Sequence, residues 1–582
     1  ATGAGEDVTV YEADNLNVAS TTLNGGDLLI RAGGPLGVSG SIAGASDVRL
    51  NSTGAGVAIG GGVTATGIVD VTAGGPGADL ALTGSINAGA SPVTLTAQRD
   101  VLLGSASHIT TQGGNVTILA DAQSPNGSGA IRMSDGATID AGVGEILLVA
   151  EGDIYLTGLR TANAGANAVV VQSNSGAIYD AGNSAGVDIR ATASTAYVTL
   201  QAARGIGAGA SAIDTDIANL KATNRLSGAI GVNELNALNI DRVRQDGETG
   251  AINVEAQGDI TLLDGRFGIA TNATDAGDST VTLISHHDIV ANAPIVGSGG
   301  SIALYADRQV TFSAAGDMPS NGGDILVVAD QDATGGAGGG AIMMADGAVI
   351  DGGRERNGGL VTLRASGDVT LGGVFTSGEA DIVSNYGSIT DGGDTDSNLW
   401  VGFASLQALS GIGDDSTSRG ALESRTLGDE ARFAATTSGG DIRIDNTGAL
   451  TLGNVGGVNG VTITNPALGD SSDQIVITTA SPLTVATIVS NSVGGDVLLA
   501  AQGSAETDDL TVDGVISTSG GNGRISLLAG DDIVFAATGR VAAANAGDVL
   551  ISAGEDYHGG SSINGADDGD VFMTSGSSVR TD

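Results

Sequence analysis

The sequence predicts an all-β fold, a parallel β-solenoid in which short strands stack coil upon coil. Three observations point to it. The first is a recurring pattern, apolar-x-apolar-x-Ala-x-Gly-Asp-apolar-x-apolar. It reads VTLTAQRDVLL from Val93, ILLVAEGDIYL from Ile146, INVEAQGDITL from Ile252, VTLRASGDVTL from Val361 and ISLLAGDDIVF from Ile525. Each copy is a strand, a tight corner and a second strand. A unit this small cannot bury its own apolar face and must stack on copies of itself. The second observation is spacing: Gly, Asn, Asp and Ser interrupt β-branched, alternating segments about every 8–12 residues along the whole length. The third is composition. The 582 residues include 97 Gly but only 3% aromatics and 8 Pro, with 41% apolar residues. A core of thin layers of Val, Ile, Leu and Ala follows.

The individual elements agree. Segments 8–11, 28–31, 47–50, 116–119 and 442–444 are short and alternating, hence strands with one buried face. Helical periodicity is almost absent; 403–410 and 421–435 are the two places where a helical turn fits. Gly at the corners permits positive φ, and the Asp or Asn that follows is placed to bond the corner backbone. A coil of about 18–30 residues gives some 25–30 coils and, at about 4.7–4.9 Å per coil, a rod on the order of 120–150 Å long.

A longer repeat lies above the short one. GGNVTILADAQ from Gly113 matches GGDILVVADQD from Gly322, and AIRMSDGATID from Ala130 matches AIMMADGAVID from Ala341. SGAIYDAG from Ser175 matches GSITDGG from Gly387. GIG at Gly205 matches GIG at Gly411, and GAIGVNELNALNI from Gly228 matches GDIRIDNTGALTL from Gly440. The offsets are about 206–215 residues, which is the signature of one repeat architecture and not of separate globules. The expected organisation is one continuous solenoid over 1–582 with superunits 1–85 (partial), 86–294, 295–515 and 516–582 (partial). Neither end reads as a capping coil, which suits a segment of a longer fibre or a protomer that polymerises.

Composition also excludes. The formal net charge is −43 and Lys221 is the only lysine, so nucleic acid is not an expected partner. No apolar run approaches the roughly 18–20 residues of a membrane-spanning helix. Without cysteine, thiolate catalysis and Cys-based metal centres are ruled out. A mean hydropathy of +0.18 argues against a disordered acidic chain.

His286-His287-Asp288 has metal-ligand character, but it aligns with Gln98-Arg99-Asp100 in another copy and reads as a corner. His108 and His558 read as solvated loop residues. Asp391, Asp394 and Asp396 place carboxylates at close spacing, as a calcium loop would. The bidentate Glu of an EF-hand is missing, so an acidic turn is the competing reading. Asp567, Asp568 and Asp570 read as a second acidic turn. Trp400, the only tryptophan, is either a sugar platform or a plug in an irregular coil, and the plug is expected. No catalytic, metal or cofactor residue is assigned; calcium at Asp391, Asp394 and Asp396 is the alternative.

The blocks GGDIRIDNTGALTLGNVGG (439–457), GIG followed by ALES (411–424) and the Gly-Asp-Ile-x-Leu rungs resemble filamentous-haemagglutinin-type repeats of large bacterial surface and exported proteins. The resemblance covers nearly the whole chain. It implies a right-handed parallel β-helix, export, cell-surface display and an adhesive or filament-building role. Two-partner-secreted members carry Asn-Pro-Asn motifs; the nearest match here, Ser124-Pro125-Asn126-Gly127, sits in a coil insertion and does not assign that route.

The functional expectation is therefore an extracellular structural fibre or filament subunit that self-associates end to end and is not an enzyme. An adhesin shaft that binds a glycan or another cell is the alternative. A polysaccharide-degrading β-helix enzyme ranks third. It needs grouped carboxylates in a groove, and the sequence has no Gly-x-Ser-x-Gly, His-Glu-x-x-His or phosphate loop.

Overall fold

The computed structural model describes residues 4–121, 128–182, 186–207, 211–272, 279–336, 339–354, 358–393, 397–413, 420–428, 430–503, 507–554 and 569–581. It is a parallel β-solenoid of about 21 turns, 52% strand, with no helix among the described residues. The chain divides into two compact units, Ala1–Ile284 and Ser285–Asp582.

In the first unit a coil consists of a five-residue strand, a three-residue strand and a third short strand. Val93–Ala97, Val101–Leu103 and His108–Thr110 make one such coil. Each strand pairs in parallel with its counterpart in the next coil. Val93 faces Val116, which faces Ile146, which faces Val169. Strands such as Ile146–Ala150 alternate buried and half-buried positions, as the sequence pattern requires. The inward residues form apolar ladders, here Ile146, Leu148 and Ala150, all with 0% exposure. Where the innermost Ala is replaced by Ser, the hydroxyl bonds a corner carbonyl: Ser52 Oγ donates to Gly34 O (2.7 Å) and Ser173 Oγ to Gly152 O (2.8 Å). That satisfies a polar group which burial would otherwise penalise.

The second unit repeats the plan. Ile302–Ala306, Ile325–Ala329 and Val361–Ala365 stack in parallel register, with Ile302 facing Ile325 and Ile325 facing Val361. The one antiparallel pair among the described residues is a side hairpin, Asn454–Val455 with Val458–Asn459, which packs Val455 and Val458 on Ala434 and Phe403.

The corner aspartates do more than bond their own turn: their side chains reach the backbone of the following coil. Asp27 N–H donates to Asp7 Oδ1 (2.9 Å), and Asp47 N–H donates to Asp27 Oδ1 (3.0 Å). Ala130 N–H donates to Asp100 Oδ1 (2.9 Å) and Ala177 N–H to Asp153 Oδ1 (3.0 Å). In the second unit Ser388 N–H donates to Asp368 Oδ1 and Arg524 N–H to Asp496 Oδ1 (2.9 and 2.7 Å). Local turns of the expected kind occur too, as where Gly142 N–H donates to Asp140 Oδ1 (3.0 Å). Backbones approach closely at these corners. A Cβ on Gly514 would lie 1.7 Å from the Thr487 carbonyl oxygen of the preceding coil.

Three expectations change. The solenoid has about 21 turns instead of 25–30. Coils carry three strands and variable insertions, so the coil-to-coil offset runs from 19 residues at Ile213–Val232 to 38 at Ile533–Val571. Residues 403–408, 422–426 and 432–435 are extended, in strands Leu399–Ala408, Leu422–Thr426 and Arg432–Thr437, because their apolar residues fill the same inward ladders. The longer repeat has a structural counterpart: Ile178, Ile206 and Ile230 make single-residue parallel bridges, and so do Ile389, Ile412 and Ile442.

Leu147 and Leu148 separate inward packing from sequence hydrophobicity. Leu148→Ala is expected to destabilise the fold by ~2–5 kcal/mol, and Leu147→Ala, on the half-buried outer face, by about 1 kcal/mol or less. Urea unfolding of the two variants measures both.

Candidate functional site

The two bridged Ile triplets mark matching coils in the two units, and the most site-like groups stand beside them. In the first unit Asp180 ends the strand Ile178–Asp180, and Asp188 precedes the strand Ile189–Ala191. Ile189 faces Thr215 in the next coil, which places Asp214 beside Asp188. Thr215 in turn faces Glu234. One oxygen from each of Asp180, Asp188 and Asp214 lies within 4.8 Å of the others. Asp188 is buried, with 3% exposure, while the other two are half-buried. Gly182 N–H donates to Asp180 Oδ1 (2.8 Å), Asp214 N–H to Asp188 Oδ2 (3.1 Å), and Asn233 Nδ2 to Asp214 Oδ1 (3.1 Å). Burial, with the like charge of Asp180 added, pushes the Asp188 carboxyl up to about 8. Burial also raises Asp180.

Glu234 lies one coil further on, with 2% exposure. Its Oε2 accepts Thr215 Oγ1 (2.7 Å) and Ile217 N–H (3.1 Å), and its Oε1 accepts Asn236 N–H (3.0 Å). Burial outweighs these donors, and with the charge of Asp216 it lifts the carboxyl to about 7. Asp216 itself is paired with Arg190 (3.0 Å). An open groove of about 360 Å³ runs past Val187, Asp214, Asn233 and Glu234.

The second unit builds the same coils with different groups. Asp391 ends the strand Ile389–Asp391, and Asn398 precedes Leu399–Ala408. Leu399 faces Ser424, and Ser424 faces Asn446. Asn398 therefore stands where Asp188 does, and Asn446 where Glu234 does. Asn398 Oδ1 accepts Glu423 N–H (3.0 Å), as Asp188 Oδ2 accepts Asp214 N–H. Asn398 Nδ2 donates to Asp391 Oδ1 (2.8 Å). Ser424 Oγ donates to Asn446 Oδ1 (2.9 Å).

Beside Asn398, Phe375, Trp400 and Arg425 follow one another in register on the outer side of the stack. The Phe375 and Trp400 rings meet edge to face at 5.8 Å. Arg354 lies 4.2 Å from the Phe375 centroid and Arg425 lies 4.6 Å from that of Trp400. Trp400 is thus a half-buried outer residue and not a plug inside the coil. The inward positions around it are taken by Leu399 and Val401. Its indole Nε1 is buried and without a hydrogen-bond partner.

The remaining sequence candidates sort plainly. Asp288 Oδ1 accepts Gln309 N–H (3.0 Å), the same corner link that Asp100 makes. His286 Nδ1 lies 2.9 Å from Asp307 Oδ2. His108 is exposed, with Nδ1 2.7 Å from Thr138 Oγ1. Asp391 is buried. Asp394, Asp396, His558, Asp567, Asp568 and the segment 124–127 lie outside the described residues. Asp570 N–H donates to Asp532 Oδ1 (2.7 Å). Asp509, Asp531 and Asp532 also bring one oxygen each within 4.8 Å. There the corner link of successive coils explains the proximity, since Asp532 N–H donates to Asp509 Oδ1 (3.3 Å).

Sequence reasoning passed over Asp180, Asp188, Asp214 and Glu234 among 66 acidic residues. The signal that finds them is the longer repeat, which sets Asp188 against Asn398 and Glu234 against Asn446. No protein-family model, curated protein or solved structure matches the chain.

The Glu234 carboxyl titrates higher in the fold than in the unfolded chain, so the folded state holds the extra proton. The stability this group confers is complete below its unfolded value of 4.5 and is lost as pH rises through about 7. Thermal melts without divalent ions are expected to show stability falling across that window. In Glu234→Gln, the amide found at Asn446, this part of the pH dependence is expected to flatten.

Proposed function

We propose that the chain is a non-catalytic structural fibre element displayed outside a bacterial cell, which associates end to end by adding coil to coil. One observation carries this reading: in each unit the same strand register and the same corner aspartate link recur from coil to coil. A coil that ends a stack offers that register to a further coil, so strand addition needs no new interface. The filamentous-haemagglutinin-like blocks support display at a surface, and the net charge of −43 supports solubility in a saline exterior. Electron microscopy of the purified chain tests the assembly. Unbranched filaments that lengthen with protein concentration are expected, and particles of constant size at every concentration would overturn end-to-end association.

A second reading, an adhesin shaft, is favoured by the outer cluster of Arg354, Phe375, Trp400 and Arg425. In a strongly acidic chain it joins two cations to two aromatic rings. Arg354 is paired with Asp351 (3.1 Å), whereas Arg425 has no ion pair among the described residues. Such a cluster suits an anionic sugar, with a carboxylate or sulfate on Arg425 and a ring face against the aromatics. On a glycan array, binding confined to acidic glycans and lost in Arg425→Ala is the expected outcome of this reading. Binding that Arg425→Ala leaves unchanged, or no binding, would remove it.

A further inference from the structure

We propose that the Asp330 corner of the second unit binds a hard, oxygen-preferring divalent cation through Asp330 and Asp332, with Ca²⁺ the expected occupant. One buried atom leads to it. Asp330 is 6% exposed, and its Oδ2 is enclosed without a hydrogen-bond partner. The other bonds of this residue are met inside the corner. Its Oδ1 accepts Gly335 N–H (3.0 Å), and its own N–H donates to Arg308 O (3.1 Å). A carboxylate oxygen taken out of water and given no donor carries the full cost of its lost hydration. A cation in contact with it removes that cost.

The second observation is room. Asp330, Thr334, Gly335 and Gly339 line a cavity of about 220 Å³ with the 307–309 corner of the preceding coil. Gly335 and Gly339 bracket the carboxyl. A Cβ on Gly339 would lie 2.6 Å from Oδ2, and one on Gly335 would lie 3.1 Å from Oδ1. Glycine at both places keeps the carboxyl clear on its cavity side. At about 30 Å³ per water the cavity holds roughly seven waters, which suits an ion that takes two carboxylates and keeps part of its hydration shell.

The third is charge. Thr334 donates to Asp332 from its N–H (3.2 Å to Oδ1) and from its hydroxyl (3.0 and 2.9 Å to Oδ1 and Oδ2). These bonds hold Asp332 below the usual carboxylate range, and the Asp330 carboxyl is near enough to act on it in the same sense. Neither Asp330 nor Asp332 has a cationic partner among the described residues. The other charged groups that line the cavity have partners of their own. Asp307 Oδ2 lies 2.9 Å from His286 Nδ1, and Arg308 Nε lies 3.7 Å from Asp288 Oδ1.

The test compares the intact chain with Asp330→Asn, Asp332→Asn, Gly339→Ala and, as an acidic control in the other unit, Asp264→Asn. Gly339→Ala leaves every charge in place and puts a methyl group against Oδ2. CaCl₂ is titrated by calorimetry at fixed ionic strength, and melting is followed in CaCl₂ and in EDTA. The intact chain and Asp264→Asn are expected to show one saturable step and a higher melting temperature in CaCl₂. Both responses are expected to be lost in Asp330→Asn and in Gly339→Ala, and the step is expected to weaken in Asp332→Asn, where one of two ligand charges is removed. Should Asp330→Asn not fold, Gly339→Ala and Asp332→Asn carry the same comparison. An equal calcium response in all five proteins would assign it to the acidic surface and overturn the site. An intact chain that ignores CaCl₂, and gains stability only as the pH is lowered, would show a proton shared by the two carboxyls in place of the metal and would overturn it equally.

Discussion

The structure depends on a backbone N–H that parallel stacking leaves over at each corner, and on the aspartate that receives it. Strand ladders satisfy the backbone along the faces of a coil, but at a corner the chain turns away from its neighbour. A donor left unpaired in such a position costs about 1–3 kcal/mol. The Asp of the corner motif meets that demand across the coil spacing of about 4.7–4.9 Å, a reach that suits a one-carbon side chain. Asp100 shows the full arrangement. Its own N–H donates to Asp79 Oδ1, its carbonyl accepts Leu80 N–H, and its Oδ1 accepts Ala130 N–H in the following coil. One residue thereby ties three successive coils, and the register of each coil is fixed by the one before it.

The unusual charge follows from that bond. A carboxylate that accepts a backbone N–H is stabilised without a cationic partner. A chain built on these links accumulates acid without needing matching Lys or Arg, and 66 acidic against 23 basic residues is the result. Some of the Arg that are present sit on such carboxylates from outside, as Arg99 does on Asp79 and Arg443 on Asp441. Charges of this kind also deter lateral pairing of strands.

The fold was legible in the sequence because the inward ladder is simple. Val93, Val116, Ile146 and Val169 occupy one position in successive copies, and alternation alone sends them inward. Local spacing points to two helical turns where the structure has strands. In 403–410 the run Phe-Ala-Ser-Leu-Gln-Ala-Leu-Ser mimics helical spacing, yet Ala404 and Leu406 take inward positions two apart while Phe403 leans on the Asn454–Asn459 hairpin, beyond reach of local pattern. Trp400 stands on the outer side because Leu399 and Val401 already fill the coil at that point. Asp188 could not be told from any other Asp by its neighbours in the chain. Its meaning comes from Asp180 and Asp214, and the second of these is set beside it by register across a coil of variable length.

The comparison between the units bears on why acids persist at these positions. Asn398 and Asn446 make the hydrogen bonds that the coil requires, with an uncharged side chain of nearly the same shape. Packing therefore does not demand a carboxylate at Asp188 or Glu234. Holding one there carries the desolvation penalty of a buried charge, visible in both carboxyls being driven toward their neutral forms. Elsewhere in the solenoid an acid is retained because a backbone N–H receives it as a charge. At Asp188 one oxygen has that role too, accepting the Asp214 N–H, while burial and the charge of Asp180 oppose the ionised form. The first unit therefore holds carboxyls at two positions where the second holds amides, and it bears there a desolvation cost that an amide does not.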